Sequence, residues 1–450
     1  MTQYRLGFPK RSAFLLPAAL LAFQAAAQDR PVLPLTLQRA IEIALAPEGN
    51  TRIALAGDSV RIAQARSKLA RSALLPDLGT TVSYDNLTRN LQAFGIRFPE
   101  NAGFQVPDKV GPFNVIDARA AARQTVFDLS AIRRFRASRS AAGAARAESE
   151  SVEQQIEAQV ATEYMSALRA QAQVDAAQAN VDLAEALVRL AQNQKEIGTG
   201  TGIDVIRARV QLASERQRLL VAQNDLRQSG LQLLRSMGVR LDTRVELEDR
   251  LSYKPLDNET IDRLVAGASQ SRADLKAQVE REEAARIDYG ATQAERLPSL
   301  TAFADYGAIG TSLDSMVPTR GFGASVRLPL FDGGQRAARR DEAQALYRQE
   351  RTRTADLREQ IDLETRLALD FLRSAEEQVQ VAGQGLELAE DELARARRRY
   401  EGGVAPGLEV TEAQTRLERA RDNRIAALYS YNRARVNLGQ ATGTVRQILE

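Results

Sequence analysis

A turn motif occurs twice in this sequence, and each copy follows a helical run of unusual length. The first run, 129–197, contains no proline and a single glycine. At the rise of an α-helix, about 1.5 Å per residue, it predicts a length of about 100 Å, far longer than an ordinary globular domain contains. The turns at 198–203 and 402–408 each place a glycine after the run, where a left-handed residue ends a helix. Both turns are therefore predicted to be tips of helical hairpins.

Each tip carries an acidic residue six positions after its glycine. Asp204 follows Gly198, and Glu409 follows Gly403 at the same spacing. Because an acid in the first helical turn interacts favourably with the helix dipole, both acids predict the start of another helix. After the first tip, apolar residues recur every seventh position, which predicts packing against partner helices. These residues are Val205, Leu212, Leu219, Leu226 and Leu233.

Two pairs of predicted strands precede the long helices. The first pair covers 78–88 and 114–127, with a glycine- and proline-rich loop at 89–113, and the second pair covers 299–306 and 320–331. The second strand of each pair has apolar residues at most of its even positions, which is the alternation of a half-buried strand. Four strands cannot close a transmembrane sheet, and lipid satisfies no open edge. The strands therefore form either a soluble sandwich or a barrel closed by oligomerisation.

The elements recur in the same order, which predicts two copies of one unit. The first copy is predicted over 28–238 and the second over 259–450, with a connector at 239–258. The predicted fold class is mainly α with membrane β. Each copy is a helix–strand–strand–long helix–helix unit.

The N-terminus has the features of a secretory signal peptide. Residues 1–27 hold basic residues, an apolar run and an Ala-Ala-Ala cleavage site ending at Ala27. They hold three basic and no acidic residues, so the mature chain has 61 − 3 = 58 basic against 58 acidic residues. This neutral balance offers no basic surface for nucleic acid. No later stretch approaches the roughly 18 apolar residues of a membrane-spanning helix.

The chain has no histidine, cysteine or tryptophan. Zinc sites and most acid–base or thiol catalysis use histidine or cysteine, so the usual tools of an enzyme are missing. The glycines 198, 200 and 202 lack the preceding strand and the spacing of a dinucleotide-binding loop. We therefore predict no catalytic residue, no cofactor and no metal site.

Taken together, these features resemble the TolC-like outer membrane efflux family over essentially the whole mature chain. The resemblance rests on Leu-Pro before the first strand of each copy, on Phe-Asp at 127–128 and 331–332, and on the tips. The family tip resembles Gly-x-x-Ser/Thr-x-x-Asp-Val-x-x-Ala, with an aromatic residue three positions before the glycine. The matching residues are Gly198, Thr201, Asp204, Val205 and Ala208 in the first tip, and Tyr400, Gly403, Glu409, Val410, Ala413 and Gln414 in the second.

The resemblance implies a homotrimer in the cell outer membrane that extends into the periplasm. Three chains of four strands would form a 12-stranded β-barrel in the lipid, continued by a periplasmic α-helical barrel. The implied function is a passive, gated exit duct of a tripartite efflux system, coupled to an inner-membrane transporter through a periplasmic adaptor. The same duct would serve type I protein secretion. A soluble periplasmic coiled-coil structural protein is a further alternative.

The resemblance also implies a pore gate at the tips. Asp204, Glu409 and Glu412 match acidic positions at the family's entrance, and threefold symmetry would turn each into a carboxylate ring that favours cations. Tyr400 matches a tyrosine that hydrogen-bonds the neighbouring hairpin near the acid equivalent to Asp204. The alternative is that Asp204 and Glu409 only start their helices.

Two positions depart from the family pattern. Ala405 stands where an arginine often completes the gate latch, and Pro406 stands at the Ser/Thr position. Arg207, Arg398 or Arg399 would then have to supply the latch. The tips are also implied to dock the adaptor, although turn chemistry alone explains their glycines. The predicted docking residues are Gly198, Thr199, Gly200, Thr201, Gly403, Val404, Ala405 and Pro406.

Overall fold

The protein is mostly helical. Its structure, a computed structural model, describes residues 32–46, 49–91, 93, 95 and 109–449 of the 450-residue chain. The predicted signal peptide, 1–27, lies outside the described residues, as does most of the predicted loop 89–113.

The described helices and strands follow in chain order. The helices are α1 (Leu37–Leu45), α2 (Thr51–Ser72), α3 (Leu129–Glu196), α4 (Gly202–Met237), α5 (Asn258–Ser271), α6 (Ala273–Ala294), α7 (Gln335–Glu401), α8 (Gly407–Thr442) and α9 (Val445–Leu449). The strands are β1 (Val32–Leu35), β2 (Asp77–Asn90), β3 (Lys109–Phe127), β4 (Arg244–Leu247), β5 (Ser299–Gly310) and β6 (Val317–Arg327).

Two helical hairpins dominate the fold. The first hairpin, α3–α4, has helices of 68 and 36 residues, and the second hairpin, α7–α8, has helices of 67 and 36 residues. Asp128 starts α3, because its Oδ1 atom accepts the backbone N–H of Ala131 at 3.1 Å. The five residues of the predicted heptad on α4 are all buried or half-buried, as packing requires. The two hairpins pack against each other through α3 and α8.

The largest apolar core lies where α3 and the end of α4 pack against β1 and α1. Tyr164 and Leu233 are fully buried in it. Tyr164 lies near the middle of α3. The rise of an α-helix places it roughly 50 Å from the first tip. The hairpins are therefore anchored in a core that is remote from their tips. None of the described helices is both long and apolar enough to cross a bilayer.

The four long strands form one antiparallel sheet in the order β2-β3-β5-β6. Its register aligns Val82 with Ala118, and Ala118 with Ala308, so apolar residues share one face. This face is uncovered by other described residues, since Val82 is 77% exposed and Phe322 is 82% exposed. The opposite face carries an ion-pair cluster in which Arg119 contacts Asp117 at 2.9 Å and Asp305 at 3.1 Å. Strands β2 and β6 are the two edges of the sheet.

The first pair of strands is longer than predicted. The second strand was expected to begin at residue 114, but β3 begins at Lys109. The glycine and proline at 111–112 were interpreted as loop residues. In the structure a register shift between Leu87 and Arg89 of β2 accommodates them, so the ladder continues past the bulge.

The second pair also differs from the prediction. β5 continues to Gly310 rather than 306, whereas β6 runs from 317 to 327 and not from 320 to 331. The prediction for the end of β6 was wrong, because β5 begins at Ser299, opposite Arg327, and β6 has no described partner strand beyond that pair. Gly333 and Gly334 then adopt left-handed φ values of 66° and 89° before α7 begins.

The connector contains a strand that the sequence did not reveal. β4 pairs in parallel with β1, and Leu33 faces Val245 in this ladder. A second unpredicted feature is a break between α5 and α6 at Arg272, whose ψ of 116° is extended. The guanidinium of Arg272 pairs with Asp274 at 2.6 Å and also with Glu364 of α7. A contact from another helix therefore accompanies this break, where the sequence has neither glycine nor proline.

Candidate functional site at the hairpin tips

The first tip is a compact turn in which one carbonyl group accepts two backbone N–H groups. Gly198 has a φ of 80°, and the N–H groups of Thr199 and Gly200 both donate to the carbonyl of Gln194, at 3.0 and 2.8 Å. A Cβ on Gly200 would lie 2.9 Å from the Cβ of Gln194. Both glycines are therefore required by this backbone.

A capping box starts α4 immediately after this turn. The Thr201 hydroxyl accepts the N–H of Asp204 at 3.4 Å, and Asp204 Oδ2 accepts the N–H of Thr201 at 3.1 Å. Asp204 Oδ1 lies 3.7 Å from Arg207 Nη1, and the Asp204 side chain is only 13% exposed. The carboxylate of Asp204 is thus occupied by contacts within its own helix start.

The second tip has the same backbone turn without a side-chain cap. Gly403 has a φ of 70°, and the N–H of Val404 donates to the carbonyl of Arg399 at 2.9 Å. Pro406 occupies the N-cap position of α8 and accepts no helix N–H with its side chain. The carboxylate of Glu409 pairs instead with Arg399 Nε at 3.1 Å, and its side chain is 37% exposed. Glu409 is therefore more available than Asp204.

The two tips contact each other within one chain. Gln194 Nε2 donates to the carbonyl of Glu401 at 3.4 Å. Asp204 Oδ1 lies 3.0 Å from the position that a Cβ on Gly407 would occupy. Behind the tips, α3, α7 and α8 share a small apolar cluster that includes Leu187. Gln194 is not among the predicted site residues, because a glutamine on a long polar helix carries no signal of such a contact.

Tyr400 lines the same small cleft as Asp204. Tyr400 is 7% exposed, and its hydroxyl has no hydrogen-bond partner among the described residues. Burial raises the pKa of Tyr400, and the nearby negative charge of Asp204 raises it further. Gln414 also lines this cleft, and its buried Nε2 likewise lacks a partner within the described part of the chain. The cleft therefore holds two unmatched donors beside a carboxylate.

Glu412 is the most exposed of the predicted gate acids, with 55% of its side chain accessible. Its carboxylate lies 3.8 Å from Arg416 Nη2, but Arg416 is closer to Glu392, at 2.8 Å. Among the predicted docking residues, Thr199 and Val404 are exposed, whereas Gly200 and Ala405 are half-buried. No group of three or more acidic side chains in the described ranges is arranged to bind a metal ion.

Comparison with known proteins identifies the family of this chain. The family model for outer membrane efflux proteins matches residues 43–239 and 264–444. The chain belongs to the outer membrane efflux protein family. It is 27% identical over 295 residues to a probable efflux pump outer membrane protein, SepC of Pseudomonas putida, covering 64% of this chain and 60% of SepC. The match thus spans less than two thirds of that relative.

Two further comparisons cover more of the chain. The pyoverdine export outer membrane protein OpmQ of Pseudomonas aeruginosa is 24% identical over 400 residues, which are 85% of this chain and 80% of OpmQ. The crystal structure of the outer membrane protein VceC of Vibrio cholerae superposes with a TM-score of 0.75. That alignment is 22% identical and covers 90% of this chain and 96% of VceC. The fold is therefore that of outer membrane efflux proteins.

Arg207, Arg398 and Arg399 are the predicted substitutes for the latch arginine that the family resemblance implies at position 405. Ala405 offers no side chain that could form an ion pair. Arg399 contacts Glu409, while Arg207 contacts Asp204. Each acid at the start of a hairpin's second helix is thus next to one arginine of its own hairpin. No ion pair between the two tips is present among the described residues.

Proposed function

We propose that this protein is the outer membrane exit duct of a tripartite efflux system. Family membership, together with an uncovered apolar sheet face near the base of very long helices, carries the proposal. The duct would be a passive, gated channel and not an enzyme. An inner-membrane transporter would supply the energy, and a periplasmic adaptor would join the two. The names of SepC and OpmQ, an efflux pump component and an export protein, support the same function.

The open edges of the sheet support closure by three copies of the chain. β2 and β6 each leave one side of the strand unpaired, and a sheet in lipid must have no free edge. Three chains would contribute twelve strands to one closed barrel. The apolar face with Val82 and Phe322 would meet outer membrane lipid, and the face with Arg119 would line the interior.

The helices support a continuing tunnel. The hairpins pack against each other through α3 and α8, and the other two helices carry exposed apolar side chains. These are Ile206 and Val210 on α4, and Leu367 and Phe371 on α7. Neighbouring copies would cover these apolar stripes, as in other closed assemblies.

A repeated unit is consistent with the hairpin boundaries. One constant offset relates the helix ends at 196 and 401, the helix starts at 202 and 407, and the helix ends at 237 and 442. This constant offset favours two units over 28–238 and 259–450, joined by 239–258.

We propose that the gate lies at the tips. Glu409 and Glu412 would form carboxylate rings at the entrance and set a preference for cations. Asp204 and Tyr400 would hold the hairpins together behind them. This division follows from exposure, since Glu409 and Glu412 are accessible while Asp204 and Tyr400 are mostly buried.

Ion selectivity in planar bilayers tests the gate. The double substitution Glu409→Gln/Glu412→Gln should lower the cation-to-anion permeability ratio. Glu246→Gln makes the same charge change on the connector strand β4 and should leave the ratio unchanged. Unchanged selectivity in the double variant would exclude these two acids from the gate.

Membrane fractionation tests the duct itself. The mature protein should be in the outer membrane and should run on unboiled gels as a heat-sensitive trimer. Recovery as a soluble periplasmic species would overturn the barrel and, with it, the gate.

Adaptor docking is tested at the exposed tip residues. Thr199→Glu or Val404→Glu should prevent assembly with the adaptor while the trimer persists. Thr51→Glu, at the start of α2, is a matched control that should assemble normally. If efflux survives both tip substitutions, the adaptor docks elsewhere.

A further inference from the structure

A second cleft lies far from the tips, between α3, α8 and the connector. It has a volume of about 460 Å³ and is lined by Tyr164 of α3, Arg435 of α8 and residues 249–252 of the connector. The connector is held across α8 by two hydrogen bonds. Asn432 Nδ2 donates to the carbonyl of Ser252 at 2.9 Å, and the Tyr431 hydroxyl donates to the carbonyl of Lys254 at 2.8 Å. Hydrogen bonds between the connector and α8 therefore hold the walls of this cleft in place.

Arg435 is an unusual side chain to find in this cleft. It is only 5% exposed, and its single observed hydrogen bond runs from Nη2 to the carbonyl of Ile448. The Nε–H group is buried and has no partner, and no carboxylate of the described residues lies within ion-pair distance. Burial lowers the pKa of Arg435. A buried guanidinium without a counter-charge is costly, because its lost hydration is not replaced.

The one acid that lines the cleft is already engaged. Asp249 Oδ2 accepts the backbone N–H of Leu37 at 2.9 Å and the hydroxyl of Tyr164 at 2.7 Å. It thereby ties the connector to the start of α1 and to α3. The lining holds three basic residues, Arg250, Lys254 and Arg435, against this acid, so 3 − 1 leaves a charge of +2. Arg250 and Lys254 are exposed and form the mouth of the cleft.

We propose that this cleft binds a carboxylate, with the guanidinium of Arg435 as the buried cation and Lys254 and Arg250 at the mouth. A carboxylate suits the site because charge-assisted hydrogen bonds from arginine to carboxylates are short and strong. The site is independent of the proposed gate, since it shares no residue with the tips. Its ligand would be a small carboxylic acid or a carboxylate side chain.

Succinate is a suitable probe, with succinamide and sodium chloride at matched ionic strength as controls. In the full-length protein in detergent, succinate should raise the midpoint of thermal unfolding in a saturable manner, and the controls should not. Arg435→Gln should abolish this response. Arg433→Gln removes the same charge from an exposed position two residues earlier on α8 and should retain it.

If Arg435→Gln does not fold, a substitution at the mouth of the cleft still tests the proposal. Lys254→Gln should raise the succinate concentration for half-maximal effect about tenfold, the loss expected for one charged contact. Absence of a succinate response in the unmodified protein, or an equal response in Arg435→Gln, would overturn the proposal.

Discussion

The two hairpin tips share one backbone turn and differ in how they hold the acid at the equivalent position. In the first tip, Asp204 belongs to a capping box with Thr201 and is mostly buried. In the second tip, Pro406 provides no side-chain cap, and Glu409 reaches outward to Arg399. The comparison teaches that equal spacing after a glycine does not imply equal roles. One acid is used to start a helix, while the other remains accessible.

The bases of the two hairpins, where α4 and α8 end, likewise share a backbone conformation and differ in their surroundings. Gly238 and Gly443 both end a 36-residue helix with a left-handed φ, of 73° and 70°. Their surroundings differ, because a Cβ on Gly238 would overlap the carbonyl oxygen of Gly49, whereas the nearest atom to a Cβ on Gly443 is 3.0 Å away. The first base is therefore packed more tightly against its neighbour than the second.

The largest effect is expected at these bases. Gly238→Ala should lower the free energy of unfolding by about 2–4 kcal/mol, because it adds a backbone clash to the cost of a left-handed alanine. Gly443→Ala should cost about 1–2 kcal/mol. Gly57→Ala, inside α2 with open space around it, should be neutral or slightly stabilising. Thermal and denaturant unfolding in detergent measures all three, and equal losses at 238 and 443 would contradict the difference in packing.

An intermediate effect is expected at two buried tyrosines, one on each hairpin. The Tyr164 hydroxyl of α3 donates to Asp249 and also contacts the carbonyl oxygen of Leu35 at 2.9 Å, whereas the Tyr400 hydroxyl of α7 has no partner among the described residues. Tyr164→Phe should therefore cost about 1.5–3 kcal/mol, the value of a hydrogen bond to a charged group. Tyr400→Phe should change the unfolding free energy by less than about 0.5 kcal/mol.

The same unfolding experiment, carried out on the assembled protein, sharpens this contrast. A large loss in Tyr400→Phe would show that the hydroxyl finds a partner in a neighbouring copy. That result would restore the latch that the family resemblance implies.

The smallest effect is expected at the tip acids. Asp204→Ala removes half of a capping box and should cost about 1 kcal/mol, whereas Glu409→Ala loses only an exposed ion pair, worth less than about 0.5 kcal/mol. Hydrogen exchange in the first turns of α4 and α8 reports each change locally. Asp204→Asn retains an acceptor and should exchange more slowly than Asp204→Ala. If Glu409→Ala speeds exchange in α8 more than Asp204→Ala speeds it in α4, then Glu409 stabilises its helix start more than Asp204 does, and the prediction is wrong.

Local signals predicted the long elements well. The breaker-free run before Gly198 corresponds to the 68 residues of α3, and the glycine lies in the left-handed conformation that ends the helix. The alternation in the second strand of each pair corresponds to one apolar face of the sheet. These features depend on residues close in sequence, and for that reason they can be read without a structure.

The features that were missed depend on distant residues. β1 is defined by its ladder with β4, which lies in the connector after the whole first hairpin. The break at Arg272 accompanies an ion pair with Glu364 of another helix. In the candidate site, the role of Gln194 requires the carbonyl of Glu401 on the other hairpin. No pattern within a short window carries this information.

The sequence by itself determined the lengths of the helices, the two turns and the apolar alternation of the strands, because each follows from the conformational preferences of adjacent residues. The tertiary structure alone decided that Asp204 is mostly buried while Glu409 is accessible, and that Arg435 is buried without a carboxylate among the described residues. The physical reason is that burial and charge pairing depend on what distant segments bring to the same place. Asp204 and Glu409 follow their glycines at the same spacing. Their local caps differ at Thr201 and Pro406, and only Asp204 lies against the other hairpin, beside Gly407 and Tyr400.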